Sequence, residues 1–176
     1  MTAPQPALDK VFVDFSIKKL RQLAERIKDC LGRLNEEQVW ARGSENENAV
    51  GNLALHLSGN VRQWIVSGIG GKPDIRVRDR EFSARGDITP AELIERLDGV
   101  IDEAIAVVQR LNGERLLDKV KVQNYEVTVL EAVAHVVEHF AGHTGQIIYA
   151  TKLATGSDLG HYKHLSQPKA HTEKTP

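Results

Sequence analysis

Hydrophobic residues recur every three or four positions in four stretches of the chain. Spacing of this kind places the apolar side chains on one face of an amphipathic helix. The predicted helices cover residues 8–34, 49–68, 89–112 and 128–155. Four helices of about twenty residues, joined by three connections, predict an all-α protein built as a four-helix bundle.

The residues at the helix ends support these boundaries. Thr89 with Glu92, and Thr128 with Glu131, have the spacing of capping boxes, in which each side chain satisfies a free backbone N–H of the other residue. Gly156 is placed to end the last helix. A further short helical turn is predicted after residue 35.

The connections are polar, and we do not expect a sheet in any of them. Residues 69–87 form a long loop between the second and third helices, and long loops are often functional. Its positive and negative charges alternate, however, which favours a solvated surface. Residues 119–122 alternate and predict a short extended piece. We interpret the chain as a single domain spanning 1–176, with a core at about 8–156 and a polar, mobile tail at 157–176.

Composition excludes several classes of protein. The formal net charge of −1 over 176 residues argues against a nucleic-acid binder. No apolar segment has the length of a membrane span, and the beginning of the sequence does not resemble a signal peptide. The single cysteine, Cys30, excludes an internal disulfide, and we predict a structural role for it. We therefore expect a cytoplasmic protein that acts on a small molecule.

Three histidines in the fourth helix are the first candidates for chemistry. His135, His139 and His143 follow one another at intervals of four, so neighbouring Cβ atoms lie about 5–6 Å apart on a helix. Two imidazoles at this spacing can share one metal ion, although many such pairs are ordinary surface or core residues. Gly142 and Gly145 are unfavourable in a helix by about 1 kcal/mol each, so we expect a helix or ligand to approach the backbone there.

A second helix offers a further histidine in a similar position. His56 lies about 100° from the centre of the apolar stripe of its helix, in line with Asn52 and Asn60. His139 lies about 100° from the stripe of the fourth helix, in line with Gln146. If these helices pack side by side, both polar rows can border one cleft.

Three segments carry a resemblance to a known group of proteins. They are Asn52–Asn60, Arg78–Phe82 and His135–Gln146. The chain resembles the DinB-like superfamily of four-helix bundles over residues 8–165, and within it a branch of uncharacterised bacterial proteins. The resemblance implies a divalent metal held by His56, His139 and His143. His135 matches an additional position that is not usually a ligand.

The resemblance also implies two classes of function. One is a metal-dependent enzyme, either a transferase that uses a low-molecular-weight thiol or a hydrolase. A site with three imidazoles leaves coordination positions open for such Lewis-acid chemistry. The alternative is a non-enzymatic metal-binding or stress-response protein with a structural or vestigial site. Zinc or nickel is the expected metal, and iron or manganese also suits imidazole. Relatives often pair, so we expect a homodimer.

No catalytic residue can be assigned from the sequence. Glu81 and Glu138 are the nearest acid or base candidates in the sequence, and both are weak. Gln146 is a better candidate for orienting a ligand histidine through its second ring nitrogen. The tail histidines lie on no predicted helix and are not expected to bind the metal; they are His161, His164 and His171.

Overall fold

Four long helices form the protein in a computed structural model, which describes residues 7–166. The first packs against the third and the fourth, and the second also packs against those two, so the helices form a closed ring. This arrangement confirms the all-α four-helix bundle. The four helices are α1 (Leu8–Leu31), α3 (Val50–Val61), α5 (Pro90–Val108) and α7 (Val129–Thr155).

The predicted caps are present at both ends of α7. Thr128 Oγ1 accepts a hydrogen bond from Glu131 N at 3.1 Å, and Glu131 Oε2 accepts one from Thr128 N at 2.7 Å. Gly156 ends the helix in the left-handed conformation, with φ of 64°, which glycine adopts without steric cost. The capping box of Thr89 and Glu92 likewise begins α5.

Shorter elements fill the connections. The turn predicted after residue 35 is a helix, and the long loop contains another short helix. The third long helix ends before the predicted position, because Asn112 caps a separate short helix instead. These elements are α2 (Glu36–Trp40), α4 (Arg78–Ser83), α6 (Gly113–Leu117) and a final 3₁₀ turn (Lys163–Ser166). A π-helix, Arg62–Ile69, continues α3 without a break.

The expectation of no sheet is wrong. Strands β1 (Lys119–Val122) and β2 (Tyr125–Thr128) pair antiparallel, with Val122 opposite Tyr125. An isolated hairpin is marginal in water, but here Val120 and Val122 are buried against the bundle. The side chain of Val122 occupies the space beside Gly68 of the π-helix. The extended piece predicted at residues 119–122 is β1, and packing against the π-helix stabilises its pairing with β2, which the sequence did not predict.

One hydrophobic cluster draws on all four long helices, and Cys30 lies fully buried in it. Burial raises the pKa of the Cys30 thiol, in agreement with a structural role. Part of the segment predicted as a mobile tail packs back on α1, where His161 Nε2 lies 3.0 Å from Asp29 Oδ2. His171 lies outside the described residues. Within residues 7–166, no helix is long and apolar enough to cross a membrane.

Candidate metal centre

The structure brings His56, His139 and His143 together between α3 and α7. The Nε2 atoms of His56 and His139 lie 2.9 Å apart. One ring nitrogen from each of the three residues lies within 4.8 Å of the others. The helices meet because apolar neighbours of these histidines, Leu57 on α3 and Phe140 on α7, are fully buried in the core.

Glu81, from α4, determines the orientation of the His56 ring. His56 Nδ1 lies 3.0 Å from Glu81 Oε2, so the ring donates its Nδ1–H to the carboxylate. The proton on Nδ1 leaves the lone pair on Nε2, the atom that faces His139. A carboxylate behind a histidine fixes the tautomer and makes the ring a more basic ligand.

Arg76 holds Glu81 in place. Its Nε and Nη2 donate to the two carboxylate oxygens at 2.7 and 2.8 Å, and Nη2 also lies 3.1 Å from His56 Nδ1. Burial raises the pKa of Glu81, but the hydrogen bonds from Arg76 and His56 outweigh burial and hold that pKa below its ordinary value. The Arg76 side chain is only 3% exposed. The prediction of a solvated loop is therefore wrong for this part of residues 69–87.

Asn52 anchors α4 to α3, one helical turn before His56. Its side-chain amide donates to the carbonyls of Glu81 and Ala84 at 2.8 and 3.0 Å. Gly59 permits the close approach, because a Cβ there would collide with the Glu81 carboxylate. The polar row predicted beside His56 thus serves to hold the loop over the histidines.

Gln146 orients the third histidine, as predicted. Its Oε1 lies 2.7 Å from Nδ1 of His143, and an amide oxygen can only accept, so His143 carries its proton on Nδ1. The lone pair on the Nε2 atom of His143 is therefore free. Two of the three rings have their tautomer fixed by a neighbour.

Two cavities open beside the histidines, and both are lined in part by His135 and His139. The larger has a volume of about 540 Å³ and the smaller of about 450 Å³. The ring of His135 packs on Trp64 at a centroid distance of 4.4 Å and stacks with His139 at 5.6 Å. The larger cavity is also lined by residues of the loop and the hairpin: Arg76, Arg78, Gln123, Tyr125 and Val127.

Comparison with known proteins identifies the family. The model of a family of proteins of unknown function, DUF1572, matches residues 8–171. The chain belongs to the DUF1572 family. A solved crystal structure of a conserved protein from Enterococcus faecalis is similar in fold, with a TM-score of 0.67 and 16% identity; the match covers 82% of this chain and 97% of that chain. No curated protein matches the sequence.

Burial lowers the pKa values of His139 and His143 in this DUF1572 protein. Desolvation, followed by the nearby His143, His56, His135 and Arg76, lowers the pKa of His139 to about 4. Desolvation also lowers the pKa of His143, although its hydrogen bond with Gln146 acts in the opposite direction. His139 is therefore a neutral imidazole at neutral pH, and a metal ion can bind its hydrogen-free nitrogen without displacing a proton.

The donor set fits a divalent transition-metal ion. Imidazole nitrogens bind zinc at about 2.0–2.1 Å, so rings that share one ion hold their nitrogens within about 4.2 Å. The three nitrogens lie within 4.8 Å of one another, so only small ring rotations are needed. The Nε2 atoms of His56 and His139 already lie 2.9 Å apart, so one ion can reach both of them.

Several sequence predictions for this DUF1572 protein are corrected by the site. Within the described residues nothing lies within 4 Å of a Cβ built on Gly142 or Gly145, so no neighbouring helix approaches the backbone there. Gly142 lines the smaller cavity, so the approach of a ligand stays a prediction. Glu81 is committed to His56 and Arg76, and it orients a ring instead of serving as an acid or base. Trp64, which belongs to the hydrophobic core, also lines the larger cavity.

Proposed function

We propose that this protein is a metal-dependent enzyme that binds one divalent ion through His56, His139 and His143. The observation that carries the proposal is the convergence of three imidazoles beside a cavity, two of them with their Nδ1 protons engaged by Glu81 and Gln146. The resemblance to the DinB-like superfamily supports the same three positions. Zinc or nickel is the first expectation for the ion, because imidazole suits both.

The surrounding residues define what the chain contributes to a reaction. A bound divalent ion supplies a Lewis acid with coordination positions that the three histidines leave open. Arg76 and Glu81 form a neutral pair behind His56 and fix its ring. Desolvation lowers the pKa of His135, so its neutral imidazole can accept a proton from a molecule in the larger cavity.

The two cavities favour a reaction with two bound partners. Each reaches His135 and His139, and together they border the histidines from two sides. A group transfer to a low-molecular-weight thiol needs room for the thiol and the second substrate at once. Hydrolysis needs room for one substrate and water. Thiol transfer is therefore the first choice, and hydrolysis is the second.

Metal content tests the ligand set. We expect about one zinc or nickel ion per chain in protein purified without an affinity tag, measured by elemental mass spectrometry. Alanine at position 56, 139 or 143 removes one of three ligands and should lower metal content sharply. His135→Ala and His161→Ala are the matched controls and should retain the ion. Loss of metal in His135→Ala with retention in His56→Ala would show that the ligands are different.

Cobalt substitution tests whether coordination positions are open. We expect 2-mercaptoethanol, added to the cobalt-loaded protein, to produce a sulfur-to-cobalt charge-transfer band in the near ultraviolet. The band should be absent from His139→Ala, and thiol turnover should depend on the ion. A spectrum that no thiol or imidazole changes would identify a closed coordination shell. That result supports the alternative of a structural metal in a non-enzymatic protein.

A further inference from the structure

The larger cavity has an aromatic wall. Trp64 from the π-helix and Tyr125 from β2 lie with ring centroids 6.2 Å apart, and His135 packs against Trp64. Tyr125 is 60% exposed and lines the cavity, so its ring is accessible to a bound molecule. Val127 completes the apolar surface. A flat, apolar molecule of small size fits this wall.

Arg78 gives the same cavity a positive charge without a protein counter-ion. Among residues 7–166 it makes no ion pair and no side-chain hydrogen bond. Its guanidinium carbon lies 4.7 Å from the centroid of the Phe82 ring, and Phe82 in turn lies 4.8 Å from the His56 ring. Stacking on Phe82 holds the plane of the guanidinium near the histidines and leaves its N–H groups available.

Two other charged residues line the cavity, and both already have hydrogen-bond partners in the protein. Arg76 is neutralised by Glu81. Glu131 is also a lining residue, but its Oε2 accepts hydrogen bonds from the backbone and the hydroxyl of Thr128, both at 2.7 Å. These hydrogen bonds come from neutral groups, so Glu131 keeps its negative charge. Among the described residues Arg78 is the lining cation without an ion-pair partner, and the charge of Glu131 opposes a doubly charged phosphate more than a monoanion.

Two residues of the cavity wall also carry buried polar atoms without a partner in the described part of the chain. They are Trp64 Nε1, a donor, and Asn60 Oδ1, an acceptor, and each residue is 5% exposed. An unsatisfied buried donor or acceptor costs about 1–3 kcal/mol.

We propose that the larger cavity binds a small carboxylic acid with an aromatic body, and that Arg78 recognises its carboxylate. The aromatic body lies on Trp64 and Tyr125, and the reacting part of the molecule faces the three histidines. The assignment of this acid as the substrate rests on the proposed metal-dependent function, whereas its binding requires only the cavity. Guanidinium groups bind carboxylates through two parallel hydrogen bonds, which gives the site its specificity.

Calorimetry with phenylacetate, phenylacetamide and phenyl phosphate tests the proposal on the zinc-loaded protein. We expect phenylacetate to bind at least about tenfold more tightly than the neutral amide, since hydrogen bonds to charged groups contribute about 1.5–3 kcal/mol. Arg78→Gln should remove this difference. Arg80→Gln, which changes the same charge on the same short helix at a residue outside the cavity lining, should leave it unchanged.

Tyr125→Ala tests the aromatic wall in the same measurement. It should weaken phenylacetate several-fold and leave acetate unaffected. The proposal would be overturned if phenylacetate does not bind, or if it binds no more tightly than phenylacetamide. It would also be overturned if phenyl phosphate binds more tightly than phenylacetate, or if Arg78→Gln leaves the affinity for phenylacetate unchanged. Metal content is measured on the same samples. If the protein contains no metal but binds phenylacetate through Arg78, only the proposed function is contradicted. If the protein contains metal but does not bind phenylacetate, only this inference is contradicted.

Discussion

Glu81 connects the long loop to the histidines. Its carboxylate accepts from His56 on one side and from Arg76 on the other, and Asn52 holds its backbone. Removing one member of a buried ion pair is costly because the remaining charge is left without compensation. The same carboxylate therefore contributes to the stability of the fold and to the orientation of a ligand.

Glu81→Gln should separate these two contributions. We expect it to lower metal affinity about 10–100-fold, the usual effect of losing a carboxylate behind a ligand histidine. It should also lower the free energy of unfolding of the metal-free protein by about 3–5 kcal/mol, because Arg76 is left unpaired. Calorimetric titration with zinc and thermal unfolding are the measurements, and Asp79→Asn, an exposed change on the same helix, is the control.

A double substitution completes this test. Arg76→Gln combined with Glu81→Gln removes both buried charges, so stability should recover in part while metal affinity stays low. If metal affinity recovers together with stability, Glu81 acts on the fold and does not act on His56.

Glycines on α3 and its π-helical continuation decide how the short elements pack. A Cβ on Gly51 would meet the Trp40 ring of α2 at 2.8 Å, and Cβ atoms on Gly59 and Gly68 would meet Glu81 of α4 and Val122 of β1. A single continuous helix thus holds three separate pieces of chain at its glycines. Two of these pieces, α4 and the hairpin, supply walls of the cavity.

Gly59→Ala tests whether the close approach of α4 to α3 at this glycine is needed for metal binding. The added methyl group should displace the Glu81 carboxylate from His56 and reduce zinc affinity at least tenfold. Gly99→Ala on α5 is the matched control, because nothing in the described structure lies within 4 Å of its Cβ. Alanine is the better helix former by about 0.5–1 kcal/mol, so the control should be slightly more stable than the native protein, with unchanged zinc affinity. Equal zinc affinity in both variants would show that α4 tolerates a wider separation.

In the molecule as a whole, the parts that could be predicted from the sequence are those in which residues of one type recur at a regular spacing. The four helices, their caps and the positions of His56 and His139 follow from spacing along one element. The burial of Arg76 and Glu81 does not, because alternating charges in a loop look the same whether they pair under a helix or lie in water. The hairpin was missed since each strand has only four residues, and its stability comes from Val122 packing beside Gly68.

The homodimer expected from the sequence is a proposal about the whole molecule. The exposed apolar residues indicate where its interface can lie. The apolar stripe of α5 is largely buried in the core, but Leu8, Val11 and Phe15 of α1 are exposed, as is Leu117 of the adjacent α6. We propose that this patch pairs with its copy in a second chain.

Light scattering across a concentration series is expected to give twice the mass of one chain. Phe15→Arg should shift the protein to a monomer, because it places a charge in the centre of the patch. Leu153→Arg, at an exposed apolar position on α7 outside this patch, should not. A monomeric native protein at every concentration would exclude the dimer.

His56 and His139 are 83 positions apart in the sequence. An ion bound by both holds two distant segments of chain, and it binds only when they are folded together. Free ion at about a thousand times its dissociation constant adds roughly 4 kcal/mol to the free energy of unfolding, a large share of the total for a protein of this size. If the proposed ion binds, the lifetime of the polypeptide in a cell follows the supply of that ion, and metal starvation lowers the amount of the protein as well as any activity that depends on the ion.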